Sequence, residues 1–374
     1  MRKNNKIIEI FFNLLRAGLW EKDVRLLTFG DIDFSEILRL AEEQSVVGLI
    51  AAGIEHVTDV KPSKAEVLKI IGQTMQLEKR NMAMNRFIGT SVEKMRDADV
   101  NTLLVKGQGV ARCYERPLWR ACGDVDFFLN DENYEKAKAF LTPLASNMEK
   151  EYVREKHLGM TIDSWVVELH GSLHCGISKR INRVLDDIKR DTFNGGNVRS
   201  WDNDGTQVFL LGKENDVVYV FVHFLNHFYK GGLGLRQICD WCRLMWTFRE
   251  SLDAKKVESL IRQMELVSEW KAFGAFAVEY LGMPVEALPM YDDAPKWKRK
   301  AEKIKDFVMM SGNFGHNRDM SYYSKYPYVI RKCISMSQRV GDLFRHSRIF
   351  PLDSLRFFPT VMFNGVKSAM RGEG

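Results

Sequence analysis

The hydrophobic period of this chain switches at Val100 and switches back at Glu214, and this pair of switches limits its fold more than any other feature. Before Val100 the pattern is helical. IIEIFFNLLRAGL carries a broad apolar face, Ser35 is the expected N-cap of EILRLAEEQ, and residues 64–97 repeat apolar positions every three or four residues. Between the switches the apolar runs are short and β-like: NTLLV (101–105), GDVDFFLN (123–130), EYVREKH, GMTID, SWVVELH and GTQVFLLG (205–212). The last is a strand by itself or the hairpin partner of NVRSWD. Asp131 is the expected cap of a helix over ENYEKAKAFLTPLA. Past Glu214 the helical period returns in ENDVVYVFVHFLNHFYK, LRQICDWCRLMWTFRESL and KKVESLIRQMELVSEWKAFGAFAVEYLG. The expected architecture is α+β: a mixed-sheet core over 99–212, between a helical N-terminal region (1–98) and a helical C-terminal region (213–374).

At 374 residues the chain can bury a sizeable core. Its 55 basic and 49 acidic side chains leave a net charge of +6. That is too mild a balance to point to nucleic acid, and no basic stripe with interleaved aromatics appears. MRKNNKIIEIFFNLLRAGLW does not read as a secretory leader, because Asn13 and Arg16 break its apolar run. No apolar stretch approaches a membrane span, and six scattered cysteines suit reduced thiols, so a cytoplasmic location is expected. Cys239 and Cys242 form a CxxC without a second pair; two buried thiols are expected there rather than zinc. The segment 343–374 mixes arginines with phenylalanines. It is expected to pack on the body, with a membrane or partner surface as the alternative.

Two acids interrupt the β pattern. On a strand, Asp124 and Asp126 share a face while Val125 and Phe127 point the other way. Taken alone, the pair fits a solvated strand end. Three neighbours suggest more. KGQG (106–109) forms a glycine turn after NTLLV that opens a helix, a place where backbone N–H groups can meet phosphate, with Lys106 adding charge. A tight strand-to-helix turn explains the same residues. In SWVVELH, alternation sets Glu168 and His170 on one face, and an acid in so apolar a run needs a partner or a metal. Arg116 and Arg120 stand just before the acids, as phosphate ligands or as surface cations. Crowded carboxylates are relieved by a hard divalent cation such as Mg²⁺, which shares its oxygen ligands with phosphate.

His223 and His227 stand four residues apart on a helix, with Asp240 as a conceivable third zinc ligand; in so apolar a setting, buried hydrogen-bonded imidazoles are the expectation. Arg236 and Asp240 fit an intrahelical pair, or, with His227, an acceptor-side wall. His170 is placed with them as a further acceptor-side candidate. No GxSxG elbow, Walker loop or GxGxxG is present.

The run 103-LLVKGQGVARCYERPLWRACGDVDFFL-129, with 223-HFLNHFYKGGLGLRQICDW-241 later, resembles an uncharacterised bacterial branch of the DNA polymerase beta-like nucleotidyltransferase superfamily. The resemblance covers roughly residues 100–245. It implies a polymerase-beta-like core, Asp124, Asp126 and Glu168 as catalytic metal ligands, and Lys106, Gly107, Gln108, Gly109 and Arg120 around the nucleotide phosphates. It implies Mg²⁺ or Mn²⁺ as cofactor and a nucleoside triphosphate as donor to a hydroxyl of a small molecule, sugar or protein. The wider superfamily has Gly-Ser or Gly-Gly at the turn where this chain has Lys106-Gly107-Gln108. The alternative is a catalytically lapsed nucleotide-binding or interaction protein on the same scaffold.

Overall fold

In a computed structural model of the chain, the structure describes residues 2–153, 155–230, 232–312 and 327–370. Four helices come first: α1 (Arg2–Trp20), α2 (Phe34–Glu43), α3 (Val47–Glu55) and α4 (Lys64–Asp97). Ser63 and Glu66 form a reciprocal capping box that starts α4, and the helix holds the bounds its periodicity predicts. Its buried stripe includes Thr74, Asn81, Met84, Ile88 and Met95. Helices α1 and α3 touch backbone to backbone: a Cβ on Gly18 would lie 1.9 Å from Leu49 O, and one on Gly53 2.0 Å from Leu14 O.

Next come β1 (Leu103–Val105), α5 (Gly107–Ala111), β2 (Asp124–Phe128), α6 (Asp131–Leu141), β3 (Asn147–Met148), β4 (His157–Ile162) and β5 (Trp165–His170). They are followed by α7 (Lys179–Phe193), β6 (Val198–Asn203) and β7 (Thr206–Leu211). The strands form one mixed sheet in the order β3-β4-β5-β2-β1-β7-β6. β2 runs parallel to β5 and antiparallel to β1, which runs parallel to β7. NVRSWD and GTQVFLLG pair as the β6–β7 hairpin.

Local details differ from expectation. Asp33, not Ser35, caps α2, because its carboxylate lies outside the helix and accepts from Glu36 N at 3.0 Å. Asn130, not Asp131, caps α6; Asp131 is already inside the first turn, where an acid favours the helix dipole. Among the described residues of EYVREKH no strand forms before His157. Tyr152 bridges to His157 around a turn, and β4 begins only at His157. α7 is an element that the hydrophobic period does not announce, although Ile181, Val184, Leu185 and Ile188 form its buried stripe.

Alternation sorts the sheet into two faces. Leu104, Val125, Phe127, Val167 and Leu169 pack with Met84, Ile88, Tyr134 and Leu141 from α4 and α6. Leu103, Val105 and Phe128 join the larger core on the other face. That core continues through α8 (Lys213–Lys230), α9 (Leu235–Phe248), α10 (Ala254–Met264), α11 (Val267–Leu281) and α12 (Pro295–Ser311). The same core runs from Ile10 to Phe357, so both helical regions pack on the sheet. No helix among the described residues is long and apolar enough to cross a membrane.

The last helices, α13 (Tyr328–Ser347) and α14 (Pro351–Met370), only partly follow the packing expected of them. Phe350 and Phe357 are buried, while Phe344, Leu352, Leu355 and Phe363 face solvent. Residues 371–374 of that segment lie outside the described residues. A buried polar knot ties α14 to the body. Tyr229 Oη donates to Glu269 Oε1 at 2.9 Å, and the Tyr229 ring meets Phe357. Burial, aided by nearby Asp353 and opposed by Tyr229 and Lys300, pushes the Glu269 carboxyl up to about 8. The folded state therefore holds this proton where the unfolded chain has released it. Its stabilising contribution is complete below the ordinary carboxylate value and is lost as pH rises towards 8. Denaturant unfolding at pH 5 and pH 8 should differ by a few kcal/mol, about 1.4 kcal/mol per pH unit through the window. Glu269→Gln should flatten the slope; an equal slope in both proteins would refute this assignment.

Candidate active site

β2 and β5 pair in a register that sets Asp126 beside Glu168 and Asp124 beside Val166. Val125 and Phe127 take the opposite face and are buried. One carboxylate oxygen each from Asp124, Asp126 and Glu168 lies within 4.8 Å of the others. The strand alternation that turns Asp124 and Asp126 to one side thus also delivers Glu168, from a later strand, to the same side.

The acids are not bare. β1 pairs Val105 with Asp126, and the next residue, Lys106, turns back with φ 58°. Its Nζ then lies 2.7 Å from Asp126 Oδ1. His170 Nε2 stands 2.7 Å from the same oxygen and 3.2 Å from Glu168 Oε2, which His157 Nε2 also approaches at 3.2 Å. These contacts account for the electrostatics. Asp126, the nearest like charge, pushes the Asp124 carboxyl up, and burial adds to it against Lys106. Burial would raise Glu168, but hydrogen bonds from His157 and His170 and the Lys106 charge overcome it and hold it well below the usual carboxylate range. Burial opposes charge on His170, yet Asp126 and Glu168 raise it. Lys106 is likewise raised, its desolvation outweighed by Asp126 and the neighbouring acids.

The glycine turn is shaped by packing. Gly107 has φ 45°, and a Cβ there would lie 3.2 Å from Cys122 Sγ and 3.5 Å from Asp124 O. A Cβ on Gly109 would lie 2.8 Å from Leu210 Cδ2 on β7. The Gln108 side chain turns away from the acids and donates to Asn81 Oδ1 at 2.8 Å. Asn81 in turn donates to Leu118 O and Arg120 O at 2.7 and 2.8 Å. This α4 residue, tying the turn to the loop before β2, is absent from the sequence reading. Its one signal was a polar residue in the apolar stripe of α4.

Arg120 is buried and bonds Asp240 through two nitrogens, at 2.9 and 2.6 Å; Tyr114 Oη donates to the same carboxylate at 2.8 Å. Asp240 holds Arg120, and Arg236 Nη1 donates to Ala121 O at 2.9 Å, with the Asp240 charge still acting on Arg236. Burial and the adjacent Arg120 charge lower the Arg236 pKa. Arg116 lies apart, bonded to Glu21 and Glu55 over Trp119. His223 and His227 face each other at 3.1 Å, and burial and Lys106 lower both imidazoles, His227 to about 3. Asp240 does not join them, and among the described residues they belong to no metal-ligating cluster. Cys239 and Cys242 are buried thiols.

A cleft of about 480 Å³, open solvent included, joins these parts. Lys106, Gly107, Asp124 and Asp126 form its sheet side, and His223, Arg236 and Asp240 its helical side. It sets carboxylates against guanidinium and ammonium groups, an arrangement able to hold a cation and a polyanion together. His170 stands on the acid side of this arrangement rather than beside Arg236 and Asp240. His157, bonded to Glu168, joins the site as well; it opens β4, whereas its run EYVREKH reads as a strand that His157 ends.

Residues 30–282 match the model of a family described as uncharacterised nucleotidyltransferase. A crystal structure of an antigenic nucleotidyltransferase-like protein from Paracoccidioides brasiliensis is similar over 50% of this chain and 90% of its own, with 12% identity and a TM-score of 0.31. No curated protein matches the chain.

Proposed function

The chain belongs to the uncharacterised nucleotidyltransferase family, and on that premise we propose that it moves a nucleoside monophosphate from a nucleoside triphosphate to a hydroxyl of a small molecule, sugar or protein. The convergence of Asp124, Asp126 and Glu168, the first two lining the cleft, carries this reading. Three acids on one face, with Asp124 pushed up by its neighbour, fit a divalent cation such as Mg²⁺ or Mn²⁺. Held by these acids, such ions would supply charge to neutralise the triphosphate and the entering and leaving oxygens of an in-line displacement. The acceptor oxygen bonds to the α-phosphorus, the bond to pyrophosphate breaks, and the hydroxyl proton departs with solvent or a nearby base. Glu168, held well below the usual carboxylate range, suits a ligand role better than a proton acceptor.

Arg236 and Lys106 face the cleft and are the cations proposed to meet phosphate. Arg120 reaches phosphate less directly, because Asp240 occupies its guanidinium. The resemblance of the run 103–129 supports reading the core as polymerase-beta-like. Free cysteines and a nucleotide substrate suit a cytoplasmic setting.

One observation favours a second reading, binding without turnover: Asp126 Oδ1 accepts from both Lys106 and His170. The experiment is a thermal-shift screen of the four ribonucleoside triphosphates with Mg²⁺, followed by pyrophosphate release in the presence of acceptor pools. Stabilisation by mass action together with release is the expected result. Stabilisation without release supports the second reading, and no Mg²⁺-dependent stabilisation refutes both.

A further inference from the structure

A second set of donors lies beside the three acids. β4 and β5 pair antiparallel with His157 opposite His170, and Glu168 precedes His170 by two residues on the same face. One donor atom each from His157, Glu168 and His170 lies within 4.8 Å of the others. Both imidazoles approach Glu168 Oε2 with Nε2 at 3.2 Å; His170 Nε2 also stands 2.7 Å from Asp126 Oδ1, a bond and a proton it would give up on binding an ion. Ligands bound at about 2.1 Å and roughly 90–110° apart stand about 3.0–3.4 Å from one another, and the two histidine–carboxylate separations fall in that range. His157 and Glu168 are partly exposed and His170 is buried behind them, so an ion would enter past the first two. The row continues outward: Gly159 faces Glu168, and a Cβ there would lie 2.7 Å from a Glu149 carboxylate oxygen.

We propose that His157, His170 and Glu168 form a second cation site, selective for a divalent transition ion, next to the all-carboxylate site and sharing Glu168 with it. Ligand chemistry sets the selectivity. Imidazole nitrogen suits Mn²⁺, Co²⁺, Ni²⁺ and Zn²⁺, whereas Mg²⁺ prefers oxygen and retains its water. Asp124 and Asp126 keep an oxygen-only set for a nucleotide-bound Mg²⁺. The shared carboxylate links this site to the proposed transfer site, but occupancy requires neither nucleotide nor turnover.

Cobalt tests this directly. The full chain, stripped with chelator, is titrated with Co²⁺ and followed by visible absorption, with bound metal counted by equilibrium dialysis. The wild type should show a saturable ligand-field band that excess Mg²⁺ does not remove. His157→Gln, at the partly exposed start of a strand, should keep its far-UV circular dichroism and weaken Co²⁺ binding by about 10-fold or more, since even supporting residues of metal sites carry that much. Asp124→Asn should keep the cobalt band. An unchanged band and affinity in His157→Gln, or displacement of Co²⁺ by Mg²⁺ in the wild type, overturns the proposal. A missing Mg²⁺-dependent nucleotide effect would sink the transfer reading while leaving the cobalt result in place.

Discussion

Asp124→Asn is expected to lower nucleotidyl transfer by about 10³-fold or more while leaving the protein at least as stable as the wild type. Losing an ion-holding carboxylate removes several kcal/mol of transition-state stabilisation, and each tenfold in rate is about 1.4 kcal/mol. The stability half of the expectation comes from the crowding of Asp124 by Asp126. A carboxyl whose folded pKa lies above its unfolded value opposes folding once pH exceeds the unfolded value. Removing its charge relieves that repulsion at neutral pH. Asp126→Asn should behave differently. Asp126 is 2% exposed and neutralises Lys106 and His170 from the centre of the sheet. Without its charge the Lys106 ammonium stays buried with less compensation, at a cost of about 3–5 kcal/mol. Both variants therefore lose activity, and only Asp126→Asn loses stability with it. Pyrophosphate release and urea denaturation on the same samples separate the two effects. Near-wild-type turnover in Asp124→Asn would refute the catalytic assignment, and an Asp126→Asn protein as stable as wild type would refute the structural one.

The second large effect lies at Arg120 and Asp240. Their side chains are 6% and 7% exposed, joined through two nitrogens, and Tyr114 completes the carboxylate's hydrogen bonds. Removing one partner strands the other charge away from water, which typically costs 3–5 kcal/mol, roughly. Arg120→Met or Asp240→Asn alone should each unfold at clearly lower urea concentration. The double variant Arg120→Met/Asp240→Leu should recover part of the loss, because no uncompensated charge remains. A double-mutant cycle reads this coupling. Additive losses, or single losses under about 1 kcal/mol, would show that the pair is far less important to the fold than its burial implies. The pair also seats the segment that enters β2, and Asn81 holds that segment from the opposite side through Leu118 O and Arg120 O. Damage here should therefore reach the acids even though neither residue contacts them.

The sequence was most legible where structure follows from local period. The α4 bounds, the β6–β7 hairpin, and the shared face of Asp124 and Asp126 all rest on residues a few positions apart. Glu168 was readable because alternation alone assigns its face. Misreadings cluster where one residue of register decides the outcome, as in the caps at Asp33 and Asn130 and the start of β4 at His157. α7 was missed although its apolar positions keep helical spacing, because its polar majority hides a narrow stripe.

By itself, then, the sequence determined that this chain has a mixed sheet framed by helices, and that two acids, with a third on a later strand, leave an apolar surface in one direction. Only the tertiary structure decided which strands are neighbours. That choice brought Glu168 beside Asp126, His157 opposite His170, and Asp240 against Arg120 across 120 residues of chain. The division has a physical cause. Backbone geometry dictates a side chain's direction within its own element, whereas a charge's partner depends on which distant surface buries it, and no short run of residues carries that information.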